Sequence, residues 1–269
     1  GRMMGDDQTR RLRVSAVQIK VGEEIGENLE RILATMRRAA ADGVEMVVFP
    51  ETSLTGYSPN IGHGRDVQEW PVIREGLRAI GELASELSIW VTVGTEAWDG
   101  GGWLNRLQVY SDRGEAVAAY DKVHLTPDDT TYYKAGTSHT AFEMKGIKVG
   151  LQICYDVRFP EGYRSLLAQG AEVILQGFYA AGADTWKVPV LGCHLRSRAA
   201  ESGCFVVAAN VAGPLQFVHS QIVDPSGLLL ARANQDREEV ITADLDLSQV
   251  GESMVRKDCL TRFKHEWMA

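Results

Sequence analysis

The chain contains no run approaching the ~18 consecutive apolar residues of a membrane helix, so no membrane partner is expected. Basic residues are the minority, with Lys+Arg 28 against Asp+Glu 36 and a net charge of -8. That balance argues against a nucleic-acid or anionic-membrane surface. Cysteine is scarce. Cys154, Cys193, Cys204 and Cys259 are widely spaced with no CxxC pair, which indicates neither a disulfide framework nor a zinc site. A reducing cytoplasm fits this usage. GxGxxG, GxxxxGK[ST] and HExxH are all missing, so nucleotide-cofactor and zinc-peptidase readings lack their usual support. No secretory h-region follows the polar Gly1–Asp7. Gly1-Arg2 ahead of Met3 reads as a tag remnant, so residues 1–11 are expected to be a flexible leader and 12–269 a single domain.

What is present is ordinary for a globular chain of 269 residues: 45% hydrophobic and 24% charged. Leu12 to Ile19 reads as an opening strand. Glu27 to Ala41 is an amphipathic helix, with Leu29, Ile32, Leu33, Met36 and Ala40 on one face. Val44 to Phe49 is a buried strand, Val72 to Leu87 a helix and Ile89 to Gly94 a strand. A glycine-rich turn at 98–103 then leads into two alternating strands that end near Tyr120. A polar loop over 126–138 is followed by a hairpin about Lys145-Gly146. Glu161 to Gln169, Val173 to Gln176, Trp186 to Ser202 and Cys204 to Asn210 then repeat helix, strand, helix, strand. A further hairpin turns about Pro225-Ser226-Gly227, and Val240 to Leu245 is the last strand before an amphipathic tail. This order predicts an α/β fold, a layered sandwich with an internal pseudo-repeat rather than a purely parallel sheet.

Three reactive side chains each stand just after a predicted strand. Cys154 ends the apolar run Ile147–Ile153, Glu51 follows Phe49-Pro50, and Lys122 follows Tyr120-Asp121. In α/β folds the carboxyl ends of strands are where active sites collect. Each residue also has a plain reading of its own: a small buried thiol, a solvated or helix-starting acid, and a surface lysine. Together they make chemical sense. A thiol needs help to ionise near neutral pH. Glu51 can take its proton as general base. Lys122 and the backbone N–H of Tyr155 can stabilise the oxyanion formed when sulfur attacks a carbonyl or nitrile carbon.

The segments Phe49-Pro50-Glu51, Asp121-Lys122-Val123-His124-Leu125 and Cys154-Tyr155-Asp156-Val157-Arg158-Phe159-Pro160-Glu161 resemble the carbon–nitrogen hydrolase (nitrilase) superfamily. The likeness continues through Arg196–Glu201 and His219–Gly227 and covers the chain from Leu12 to about Leu247. It implies an αββα sandwich, stacking into four layers, and a Glu51-Lys122-Cys154 triad. It also implies attack by Cys154 on a small amide to give a thioester, with release of ammonia or an amine, and no metal or organic cofactor.

The resemblance also implies a further glutamate in the loop between lysine and cysteine. Asp129 stands at that place, one methylene shorter, and is the expected substrate-binding or lysine-polarising acid. A solvated loop acid is an equal alternative. The Cys-Tyr-Asp run resembles amidases, carbamoylases and Nit-type proteins more than nitrile-cleaving members. Hydrolysis of an N-carbamoyl compound is therefore the alternative to amide hydrolysis, and nitrile hydrolysis the lesser one. Arg158 is read first as a structural salt bridge near a helix start and second as a binder of a substrate carboxylate. Phe178, with Tyr179 and Trp186, is expected to wall the pocket, with ordinary core packing as the plain alternative. A homodimer or higher oligomer is expected from the resemblance. A non-catalytic interaction protein on the same fold is the rival from another class.

Overall fold

A computed structural model of the chain describes residues 10–267. Residues 1–9 of the expected leader lie outside the described residues. Arg10 Nη1 pairs with Glu172 Oε1 at 3.0 Å, and the first strand begins at Arg11.

Apolar alternation and amphipathic helices assemble into two six-stranded sheets. The first half supplies β1 (Arg11–Gln18), α1 (Ile25–Ala41), β2 (Met46–Val48), a one-turn helix α2 (Ser58–Ile61), α3 (Trp70–Leu87), β3 (Trp90–Trp98), β4 (Trp103–Tyr110) and β5 (Ala116–Asp121). The second half supplies β6 (Ala141–Met144), β7 (Ile147–Ile153), α4 (Pro160–Ala168), β8 (Val173–Gly177), α5 (Lys187–Ser202), β9 (Phe205–Ala209), β10 (Gln221–Val223) and β11 (Leu229–Arg232). Strand β12 (Glu239–Asp246) and the short helices α6 (Ser248–Glu252), α7 (Met254–Leu260) and α8 (Lys264–Trp267) close the described chain.

The sheet orders are β12-β1-β2-β3-β4-β5 and β11-β10-β9-β8-β7-β6. Each holds three parallel strands, β1-β2-β3 or β7-β8-β9, joined through helices and flanked by antiparallel strands. This is the expected pseudo-repeat: strand, helix, strand, helix, then three strands, once from β1 and again from β7, with β12 and β6 added antiparallel beside those first strands.

Burial shows the layers. Val14, Met46, Leu107 and Tyr120 of one sheet and Val149, Leu151, Val173 and Phe205 of the other form one apolar cluster, so the sheets face each other. Ile32, Met36, Ile73 and Ile80 of α1 and α3 cover the outer face of the first sheet. Tyr163, Leu166, Leu191 and Leu195 of α4 and α5 cover that of the second. The architecture is thus an αββα sandwich, as the resemblance implied.

Strand β2 is shorter than its apolar run suggested, because pairing with β3 ends with Phe49 N–H on Thr92 O, 2.9 Å, before Pro50 turns the chain. Strand β3 runs four residues past Gly94, because hairpin pairing with β4 continues to Trp98↔Trp103.

Candidate active site

The carboxyl ends of β2, β5, β7 and β8 meet at one end of the sandwich, and each brings one part of the site. After β2, Pro50-Glu51-Thr52 folds tightly against β3. A Cβ at Gly94 would lie 2.2 Å from Pro50 O and 2.4 Å from Thr52 N, so only glycine lets this turn sit so close. Thr52 has φ 50°, a costly left-handed conformation for a β-branched residue. The turn aims Glu51 inward, fully buried.

After β5, Lys122 is fixed by backbone bonds on both sides: its N–H donates to Asn105 O at 2.8 Å, and its carbonyl accepts Gly136 N–H at 2.8 Å. Its ammonium lies 2.9 Å from Glu51 Oε1 and 2.8 Å from Asp129 Oδ2. Burial alone would lower the Lys122 pKa. The charges of Glu51, Cys154 and Asp129 and the bond to Asp129 outweigh burial and hold it well above the ordinary lysine value.

After β7, Cys154 has φ 44°, a second strained residue in a 3-10 turn that runs to Arg158. Asp156 holds this turn, its Oδ2 accepting Ile153 N–H at 3.0 Å and Tyr120 O–H at 2.6 Å. The Cys154 thiol is buried beside Glu51, Lys122 and Asp129. Burial first, then the charge of Glu51, pushes the thiol pKa well up; Lys122 opposes and Asp129 adds to the rise. Burial and the neighbouring acids thus favour the neutral Cys154 thiol over the thiolate.

After β8, Tyr179 N–H donates to Glu51 Oε2 at 2.6 Å. Asn105 on β4 donates Nδ2–H to Glu51 Oε1 at 2.7 Å. Each oxygen of the Glu51 carboxylate thus has a backbone or amide donor to fix it.

The structure brings Glu51, Lys122 and Cys154 together. It places Tyr155 and Phe178 on the wall of a pocket of about 470 Å³ that opens at Cys154. Asp129 takes one of its expected places, against Lys122. It is neither a solvated loop acid nor part of the pocket wall; it is fully buried behind Tyr57, whose hydroxyl donates to Asp129 Oδ1 at 2.5 Å. Tyr57 itself lines the pocket. Arg158 differs from the favoured reading: it has no carboxylate partner among the described residues and lines the pocket near Trp186. Tyr57 and Asn105 were missed because neither follows an apolar strand directly. Tyr57 stands six residues after Glu51, and Asn105 is mid-hairpin, where an inward polar residue in an alternating strand was the available signal.

Among the described residues no group of three or more His, Cys, Asp or Glu is placed to hold a metal ion, and no helix is long and apolar enough to cross a membrane.

The family model for carbon–nitrogen hydrolases matches residues 13–254. The 2-oxoglutaramate amidase of Bacillus subtilis (strain 168) is 31% identical over 224 residues, covering 77% of this chain and 80% of that protein. The omega-amidase of Mus musculus is 27% identical over 258 residues, covering 89% and 90%. A solved amidase of Nesterenkonia AN1 from the nitrilase superfamily shares the fold with a TM-score of 0.80 at 24% identity, over 95% of this chain and 97% of that one. With a family match across nearly the whole sandwich and a relative above 30% identity, the chain belongs to the carbon–nitrogen hydrolase family.

Proposed function

We propose that this amidase-type hydrolase cleaves the carbon–nitrogen bond of a small amide through a thioester on Cys154. The observation that carries the reading is the shared carboxylate: Glu51 Oε1 lies 2.9 Å from Lys122 Nζ, and the same carboxylate acts on the buried Cys154 thiol. Sulfur attacks the amide carbonyl as its proton passes to Glu51. Lys122 and the Tyr155 N–H stabilise the oxyanion. Glu51 hands the proton to the departing nitrogen, ammonia or an amine leaves, and the thioester forms. Water then loses a proton to Glu51 and attacks the thioester, and the free acid departs as the thiol re-forms. No step calls on a cofactor.

The preferred substrate carries a carboxylate of its own. Arg158 is a cation on the pocket wall with no ion-pair partner among the described residues, and Asp128 is the one acid that shares its wall. The 2-oxoglutaramate amidase and omega-amidase relatives make an acid amide the natural first choice over an N-carbamoyl compound. A reducing cytoplasm suits the thiol. A homodimer or larger assembly through α5, whose Pro189 and Cys193 are exposed, completes the reading.

Ammonia release from succinamic acid, propionamide, N-carbamoylglycine and propionitrile tests the reaction. Wild type is expected to prefer succinamic acid and Cys154→Ala to release nothing while remaining folded. Turnover in that variant would refute the thioester. Arg158→Ala is expected to lose at least tenfold in kcat/KM on succinamic acid and little on propionamide.

A further inference from the structure

Every acceptor position of Asp129 that matters is already occupied. Oδ1 accepts the Tyr57 hydroxyl at 2.5 Å, and Oδ2 accepts Lys122 Nζ at 2.8 Å and Thr126 N–H at 2.8 Å. The carboxylate is fully buried and does not reach the pocket wall. The residue between it and the pocket is Tyr57, which lines the same cavity as Cys154.

The Tyr57 ring is held on several sides. Tyr179 packs against it with centroids 5.1 Å apart, Tyr133 at 6.3 Å, and Lys122 Nζ lies 5.9 Å from its centroid. Its backbone leads into α2, where Ser58 N–H and Oγ–H bond the buried Glu96 at 3.1 and 2.5 Å. The hydroxyl proton is committed to Asp129. A phenol oxygen keeps acceptor capacity after donating, and no donor among the described residues points at it.

We infer that Tyr57 is a substrate-contacting residue whose hydroxyl oxygen accepts an N–H of the scissile amide, with Asp129 fixing its proton on the far side. The inference rests on the amidase reading above and names the acceptor for the nitrogen that will leave. Burial and the charges of Glu51, Asp129 and Cys154 hold the Tyr57 pKa far above its ordinary value, so the group stays a neutral phenol and its proton stays on the Asp129 side. Directing the amide N–H bonds toward Tyr57 leaves the nitrogen lone pair facing elsewhere. It can then take the proton from Glu51 as the tetrahedral intermediate collapses.

The discriminating substrate pair is succinamic acid and monomethyl succinate. They present the same acyl group, but only the amide has N–H to donate. Tyr57→Phe in the full chain is expected to lose tenfold or more in kcat/KM on the amide and less than about threefold on the ester, since only the amide loses a hydrogen bond and strands its N–H. The amide-to-ester ratio is independent of how much enzyme is folded. Adding Asp129→Glu to Tyr57→Phe lengthens the acid into the vacated space and is expected to restore part of the amide rate. An equal loss on both substrates, or none on either, would overturn the assignment. Wild-type enzyme that releases ammonia from neither succinamic acid nor propionamide would instead remove the amidase reading, and this inference with it.

Discussion

Asn105 touches Glu51 and Lys122 by two different parts of itself. Its side-chain Nδ2–H donates to Glu51 Oε1 at 2.7 Å, and its backbone carbonyl accepts Lys122 N–H at 2.8 Å. Strand β4 is therefore the ruler that sets the acid against the ammonium. The Asn105 Oδ1 atom is buried without a hydrogen-bond partner among the described residues, while the other end of the amide is held by Glu51.

Replacing Asn105 with Asp places a second carboxylate against Glu51. Two neighbouring carboxylates resist ionising together, so the acid limb of the kcat/KM profile is expected to move to higher pH. Asn105→Ala removes the donor alone and should cost about tenfold in kcat with a smaller change in KM. A pH–rate profile on succinamic acid checks both, and an unmoved acid limb in Asn105→Asp would mean that the residue only fills space.

The raised Cys154 pKa gives a second prediction with a definite sign. A group held above its ordinary pKa is protonated throughout the neutral range and loses its proton only at higher pH. Alkylation of Cys154 by iodoacetamide should therefore climb at a pH above that of glutathione, read by mass spectrometry. Burial sets part of this rise and the Glu51 charge another part. Glu51→Gln removes the second contribution, so the alkylation curve should shift to lower pH, by about one unit or more, while amide turnover is lost. A variant both more reactive toward iodoacetamide and dead toward amide separates thiol ionisation from general-base catalysis.

Much of this site was legible because strand ends are legible. Cys154, Glu51 and Lys122 each follow an apolar or alternating run, and the fold puts such ends together. The sandwich itself could be read from paired helix and strand periodicities. What stayed hidden depends on the packing of the two sheets against each other. Nothing local tells that Asp129, in a polar loop beside Asp128, is buried while its neighbour is exposed. That follows only from Lys122 and Tyr57 reaching it from β5 and from the segment before α2. Arg158 was misjudged for the same reason: a helix-start arginine has acids nearby in sequence, Asp156 and Glu161, but Asp156 is turned inward onto Tyr120, His124 and Ile153.

Gly94 offers a test of how tightly the Glu51 turn is fitted. A Cβ there meets backbone atoms of Pro50 and Thr52 at 2.2 and 2.4 Å, and backbone cannot swing aside as a side chain can. Gly94→Ala should shift the turn bodily. Displacing a catalytic group by about 1 Å can cost on the order of a hundredfold, and overpacking costs roughly 1–3 kcal/mol. The expected outcome is a fall of that order in kcat with a drop of several degrees in Tm. Full activity would show that the turn relaxes without moving Glu51.

Asp156 ties the lysine segment to the cysteine turn, and its replacement isolates the value of that tie. Oδ1 accepts His124 N–H at 3.0 Å and His124 Nδ1 lies 2.7 Å away, while Oδ2 accepts Ile153 N–H and the Tyr120 hydroxyl. All the partners on both oxygens approach as donors, so an asparagine must turn its own NH2 against one set. Whichever way it lies, either the segment after Lys122 or the turn holding Cys154 at φ 44° loses its anchor. A strained conformation persists only where its surroundings enforce it, so the turn should relax. Asp156→Asn is expected to lower kcat at least tenfold and to lower the unfolding midpoint in urea. His124→Ala, which keeps the backbone N–H bond, should have the milder effect on both. If Asp156→Asn lost stability but kept wild-type kcat, the strain at Cys154 would have to be enforced from elsewhere, with Gln176, whose Nε2–H bonds the Cys154 carbonyl at 3.3 Å, the remaining clamp.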